Sequence, residues 1–116
     1  MLTNRPDDGS LASLLADDDK VVLLDEDVPG IELSRVFVEN EIGAYLATRH
    51  LIEAGHRNIA LIGGPPGLMS VQERQAGFRR AMAEASLPIA PELTLLEDYS
   101  RAFGYQAAEL LLALPD

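Results

Sequence analysis

The sequence predicts an α/β fold, a mainly parallel sheet flanked by helices on both faces. Two observations lead there. Short apolar runs of strand length alternate with longer segments whose apolar residues recur at helical spacing. The connections between them are short, which suits βαβ units. Composition sets the frame: 116 residues, 47% apolar and 24% charged, is the usual mix of one small globular domain or a piece of a larger one.

The elements follow in order. Residues 1–4 fit the tail of a strand. Arg5-Pro-Asp-Asp-Gly-Ser10 turns away from it, and Leu11, Leu14 and Leu15 form a short helical stripe. Asp17-Asp-Asp-Lys20 ends that helix in solvent. Val21-Val-Leu-Leu24 is a buried-type strand, Asp25-Glu-Asp-Val-Pro-Gly30 a polar loop, and Ser34-Arg-Val-Phe-Val38 a second short strand. Asn40 is a good N-cap, with Glu41 suited to the positive helix end. Ile42, Tyr45, Leu46 and Ile52 carry that helix to about Ala54, where Gly55 closes it in the left-handed region.

Asn58-Ile-Ala-Leu-Ile62 is the next strand, and Gly63-Gly-Pro-Pro-Gly67 forces the chain out of the sheet. Ser70-Val-Gln-Glu73 reads as a capping box opening a helix to about Ser86, with Val71, Phe78 and Met82 inside. Leu93-Thr-Leu-Leu96 is a strand. Ser100 caps a last helix carrying Phe103, Leu110 and Leu114. The chain starts inside a strand and stops just after a helix, as a fragment would.

In such sheets ligands bind beyond the carboxyl ends of the strands. One edge of this sheet would gather Asp25, Ser70, Arg74 and Tyr99. Arg offers a planar fork of donors, Asp accepts from hydroxyls, Ser does both, and Tyr adds a flat apolar face with a polar tip. Together these suit a small polyhydroxylated or anionic ligand. Each also has a purely structural reading: Ser70 as a cap, Arg74 paired with Glu73 or Asp98, Tyr99 over a helix end, Asp25 in a solvated acidic loop.

Other chemistries find little support. His50 and His56 flank Glu53 at intervals of three, but Gly55 breaks the face they would share, and no metal is expected. With no cysteine there is neither a disulfide framework nor a thiolate zinc site. The glycine-proline loop lacks the Gly-Lys-Ser/Thr ending of a phosphate cradle, and Lys20 is the only lysine. No nucleophile–base pair or cofactor loop stands out, so neither enzyme activity nor a cofactor is expected. Nine basic against 19 acidic side chains, net −10, argue against this segment gripping nucleic acid. No apolar run approaches the ~20 residues of a membrane span, and Met1-Leu-Thr-Asn-Arg5 lacks the apolar core of a signal peptide.

A series of segments then falls into a familiar order: Asp25, Val38-Glu-Asn40, Leu46-Ala-Thr-Arg-His-Leu-Ile52, Gly55-His-Arg-Asn-Ile-Ala-Leu-Ile-Gly-Gly-Pro65, Glu73-Arg-Gln-Ala-Gly-Phe-Arg79, Asp98-Tyr-Ser100 and Gly104-Tyr105. Together they resemble the effector-binding domain of LacI/GalR-type bacterial transcription repressors, along essentially the whole chain. The resemblance implies a periplasmic-binding-protein-like fold of two flavodoxin-like lobes, here incomplete. Residues 1–40 would be part of the first lobe and 41–116 part of the second, with the crossover near Asn40. It implies a small-molecule effector, often a sugar or nucleoside-type metabolite, bound between the lobes. By position Arg74 looks like the family's ligand-gripping arginine, Ser70 like a hydroxyl contact, Tyr99 like an aromatic contact and Asp25 like a first-lobe acidic contact. Leu68 falls where some members place a polar contact, and Glu39 where aspartate is commoner.

The same resemblance implies a cytoplasmic homodimer that meets operator DNA through a helix-turn-helix head absent from these residues. Strands left uncovered would favour association with another chain. Three rivals compete. A periplasmic sugar-binding protein would share the fold. A receiver-type signalling domain would use the Asp25-Glu-Asp27 cluster, but needs a lysine after a late strand. A small α/β enzyme lacks its catalytic pair.

Overall fold

The computed structural model describes residues 5–17 and 20–115. The strand tail expected at residues 1–4 lies outside them. Helix α1 spans Ser10–Leu15. Its start is held by carboxylates: Asp7 accepts from the backbone N–H groups of Leu11 (3.0 Å) and Ala12 (3.2 Å), and Asp8 from that of Ser10 (3.0 Å). The Ser10 hydroxyl and backbone N–H hold the Asp8 carboxyl below its ordinary 3.8. The carboxylate form is the one they favour, so this hold persists at neutral pH and weakens only as acid protonates it.

Strands β1 (Val22–Leu24) and β2 (Ser34–Val36) pair in parallel, Val22 opposite Ser34 and Leu24 opposite Val36. Leu23 turns inward and joins Val28 and Ile31 in a small core, against which Leu11 and Leu15 of α1 pack. Helix α2 (Asn40–Glu53) follows, then β3 (Leu61–Gly63), α3 (Met69–Glu84), a 3₁₀ turn at Pro91–Leu93, β4 (Thr94–Leu96) and α4 (Arg101–Leu112). β3 and β4 form a second parallel pair, Leu61 opposite Thr94 and Gly63 opposite Leu96. Its core is Ile59, Phe78 and Met82, with Ile52, Leu61, Leu87 and Ile89 around it.

All pairing among the described residues is parallel, and helices flank the strands. The strands are shorter than the apolar runs. Ile59 is buried but lies ahead of the ladder, which begins at Leu61.

The closest helix packing is α2 on α3, and it turns on one residue. A Cβ at Gly77 would stand 2.1 Å from the Glu41 carbonyl oxygen and 2.8 Å from the Tyr45 nitrogen, both backbone. Only glycine lets the helices approach this far. Around the seam Arg80 bonds Glu41 at 2.7 Å and lies over the Tyr45 ring, 4.1 Å from its centroid. The Tyr45 hydroxyl donates to Glu84.

Two local expectations change. Asn40 does not cap α2. It is the first helical residue after Glu39, and its buried side chain donates to the Val38 carbonyl at 3.2 Å. Ser70 does not cap α3 either, because that helix already begins at Met69, with extended Leu68 before it. Pro65-Pro-Gly67 makes the turn, closed by the Leu68 N–H on the Pro65 carbonyl at 3.1 Å, and leaves Ser70 inside the first turn.

The apolar stripes are also displaced. Ile42 and Leu46 are exposed, while Asn40 and Thr48 are buried, because α2 turns its Gly77-facing side inward. On α4 the buried residue is Ala107, and Leu110 lies open to solvent.

Two termini match their expected chemistry. Gly55 adopts φ +97, with its N–H on the Ile52 carbonyl (3.0 Å) and that of His56 on Leu51 (3.1 Å), the paired bonds of a left-handed helix end. The Ser100 hydroxyl accepts from the Phe103 N–H at 3.1 Å and caps α4.

Candidate functional site

The carboxyl ends of the parallel strands feed the segments that carry the expected site residues. β3 ends at Gly63, and Gly64 follows. A Cβ on Gly64 would lie 2.2 Å from Cζ of Tyr99, so the tyrosine ring rests directly on bare backbone. Tyr99 comes from the loop after β4 and is 45% exposed. Arg74, on the second turn of α3, donates from Nη1 to the Tyr99 hydroxyl at 3.3 Å and from Nε to Oδ1 of Asn40 at 2.8 Å. A small cleft of about 70 Å³ lies here, among Ile62, Gly63, Gly64, Val71, Arg74 and Tyr99.

A guanidinium has five N–H donors. Two of them position the group, and the rest remain to meet an acceptor on a ligand. The ring of Tyr99 adds an apolar face beside them.

Asp25 sits elsewhere, at the end of β1. It takes the left-handed conformation (φ 70), which aspartate tolerates better than most residues, while its N–H donates to Val36 at 2.9 Å. The bend delivers the next residue, Glu26, to the start of α3. One Glu26 oxygen accepts from the Ser70 N–H at 3.2 Å and the other from the Ser70 hydroxyl. A carboxylate at this end of a helix meets the unpaired N–H groups and the positive end of the dipole. Ser70 is 2% exposed. Asp25 and Glu26 line a groove of about 750 Å³ that also takes in Leu11, Leu24, Leu68 and Gln72. That volume lies in the range of small-molecule sites.

The four expected residues are thus distributed. Arg74 and Tyr99 touch. Asp25 faces the larger groove, and Ser70 is buried with its polar atoms committed to Glu26. Arg74 pairs with neither Glu73 nor Asp98. Two participants escaped the sequence. Asn40 passes for a cap, and only the fold brings α3 to it. Glu26 is masked by the acidic residues beside it. His50 and His56 are exposed, the second beyond the end of α2. Among the described residues no cluster of three or more His, Cys, Asp or Glu could hold a metal, and no helix is long and apolar enough to cross a membrane.

The larger groove is acidic. Asp7, Asp25, Glu26 and Asp27 line it, with Arg5 as the cation. Asp27 is itself paired with Arg35 at 3.0 Å. Neither cleft is lined by serine, threonine or histidine among the described residues.

Known proteins resemble this chain over most of its length. The family described as a periplasmic binding protein-like domain matches residues 48–116. The HTH-type transcriptional repressor PurR of Aliivibrio fischeri is 35% identical over 96 residues, 83% of this chain and 28% of that protein. The HTH-type transcriptional regulator GalR of Salmonella typhimurium is 34% identical over 105 residues, 90% of this chain and 31% of that protein. A crystal structure of a LacI family transcriptional regulator from Mycobacterium smegmatis superposes with a TM-score of 0.85 at 28% identity, covering 97% of this chain and 40% of that one. The chain therefore spans about three tenths of the length of these curated relatives.

Proposed function

Because the chain belongs to the periplasmic binding protein-like domain family, in the form that LacI/GalR-type transcriptional regulators carry as their ligand-binding domain, we propose that it is the effector-sensing part of such a regulator. It takes a small polar metabolite, a sugar or nucleoside, and catalyses nothing. In the whole protein a helix-turn-helix head outside these residues reads operator DNA, the assembly is a homodimer, and it works in the bacterial cytoplasm. The chain's own charge of −10 fits this division, since phosphate contacts belong to a basic surface.

One observation carries the reading. Arg74 and Tyr99 form a donor-and-ring pair at the carboxyl ends of parallel strands, on a glycine that leaves room for the ring. Parallel sheets bind their ligands at that position.

The same pair suggests how binding is transmitted. In this reading residues 1–40 belong to one lobe and 41–116 to the other, so Asn40 stands at the crossover. Arg74 holds Asn40 through Nε. A ligand that draws on the guanidinium pulls on the segment where the lobes join. Different affinities for two lobe arrangements then shift the population between them, which is all that effector coupling requires.

The test is a thermal melt of the chain with a panel of sugars and nucleosides, beside Arg74→Ala. A ligand that binds only the folded state raises the midpoint, by an amount equivalent to about 2.7 kcal/mol at a hundredfold excess over Kd. One compound should raise the native midpoint and leave the variant unmoved. Equal shifts in both would remove Arg74 from the site, and a melt indifferent to every compound would count against sensing by this chain.

A further inference from the structure

We propose that Glu26 is a specificity-determining residue of the larger groove: fixed by Ser70 against the start of α3, its carboxylate receives a hydrogen-bond donor from the ligand and turns anionic ligands away. The inference rests on the sensing function above and names the ligand class that this site accepts.

Ser70 looked like a ligand contact, yet it is 2% exposed and both of its donors are spent on Glu26. What reaches the groove in its place is the carboxylate. Glu26 is only half-buried and lines the groove wall. A carboxylate offers about four lone-pair positions. Ser70 occupies two of them and so fixes the group's orientation, and the others stay available. Fixed acceptors of this kind read donors: hydroxyls of a polyol or sugar, or an amine.

Four of the five charged side chains on the groove wall are acidic, Arg5 being the cation. Asp25 adjoins Glu26 on the groove wall. Asp27 has its counter-ion in Arg35, and Asp7 holds the start of α1, so both are tied down where they stand. Arg74, the residue suited to an anion, lines the other cleft, where Asn40 and Tyr99 position it. A phosphorylated or carboxylated ligand in the larger groove would face Glu26 and Asp25 at short range, with repulsion strengthened by partial burial. The positive end of α3, which would otherwise balance it, is already taken by Glu26.

The experiment compares three matched probes on the 116-residue chain: glucose, glucosamine and glucose 6-phosphate, with ribose and ribose 5-phosphate as a second set. Binding is read as the midpoint shift and by titration calorimetry at constant ionic strength. Glu26→Gln is isosteric and keeps an acceptor for Ser70, so it tests charge rather than folding. Ser70→Ala removes the hydroxyl that orients the carboxylate but leaves the charge.

The native chain should bind a neutral or cationic member and not its phosphorylated counterpart. Glu26→Gln should weaken the neutral or cationic ligand about tenfold, the scale of one charge-assisted hydrogen bond, and narrow the gap to the phosphorylated one. Ser70→Ala should weaken binding while keeping the preference. A native chain that takes the phosphorylated member as well as the neutral one would overturn the assignment and leave sensing intact. Unchanged selectivity in Glu26→Gln would do the same. If no probe of either set moves the native chain, the assignment of Glu26 fails, while sensing stands or falls on the wider panel of sugars and nucleosides.

Discussion

Arg74 is exposed, and so is Tyr99, yet each is fixed: the guanidinium by Asn40 and Tyr99, the ring by Gly64 beneath it. Preorganisation of this sort lowers the entropy lost when a ligand arrives. It also separates binding from stability in a way one substitution can expose. Gly64→Ala puts a methyl group where the far end of the Tyr99 ring lies. Because Tyr99 is 45% exposed, its ring can swing into solvent at little cost. The melting midpoint should therefore stay within about 0.5 kcal/mol of native, as for most surface changes, while ligand binding and the Arg74 contact are lost. A large loss of stability would mean that the ring is a structural support and not a ligand face.

At this scale the residue types were readable from the sequence, and half of their partners were not. Arg74 and Tyr99 stood out because they follow strand ends. Asn40 and Glu26 did not, because their roles depend on groups 34 and 44 residues away, beyond any local pattern.

Elements were readable to the extent that their chemistry is local. Gly55 ends α2 and Ser100 begins α4 through bonds to the nearest turn, and both follow from residue type and spacing. Which side of α2 is buried is not local. Ile42 and Leu46 carry the expected apolar stripe, but the side packed on α3 is chosen by Gly77, where the two backbones meet.

That contact gives a paired prediction. Gly77→Ala drives a Cβ to within 2.1 Å of a backbone oxygen, an atom that cannot rotate away, so α2 and α3 must separate. Denaturant unfolding should show a loss of about 3 kcal/mol or more, at the top of the range for overpacking. Gly43 lies in the interior of α2 with nothing within 4 Å of an added Cβ. Gly43→Ala should instead gain about 0.5–1 kcal/mol by restricting the unfolded chain and favouring helix. If both substitutions behaved alike, helix propensity and not the helix–helix approach would govern this part of the fold.

Across the whole molecule two tendencies oppose each other. Each two-stranded sheet leaves one side of every strand unpaired among the described residues, and large apolar side chains lie open on strands and helices alike: Leu24 at 67%, Val36 at 61%, Leu46 at 57% and Leu110 at 62% exposure. Unpaired edges with apolar neighbours favour association. The net charge of −10 resists it by mutual repulsion. Repulsion between exposed charges is screened by salt, whereas burial of apolar surface is not. The screening length falls from about 30 Å to about 3 Å between about 0.01 M and about 1 M salt. Light scattering coupled to size exclusion should therefore give a mass that rises with both chain concentration and salt. A mass that falls with salt would identify ion pairing between chains as the cause. A monomer at every salt concentration, with a cooperative melt, would mean that the open strand edges and apolar side chains are tolerated in water without a partner.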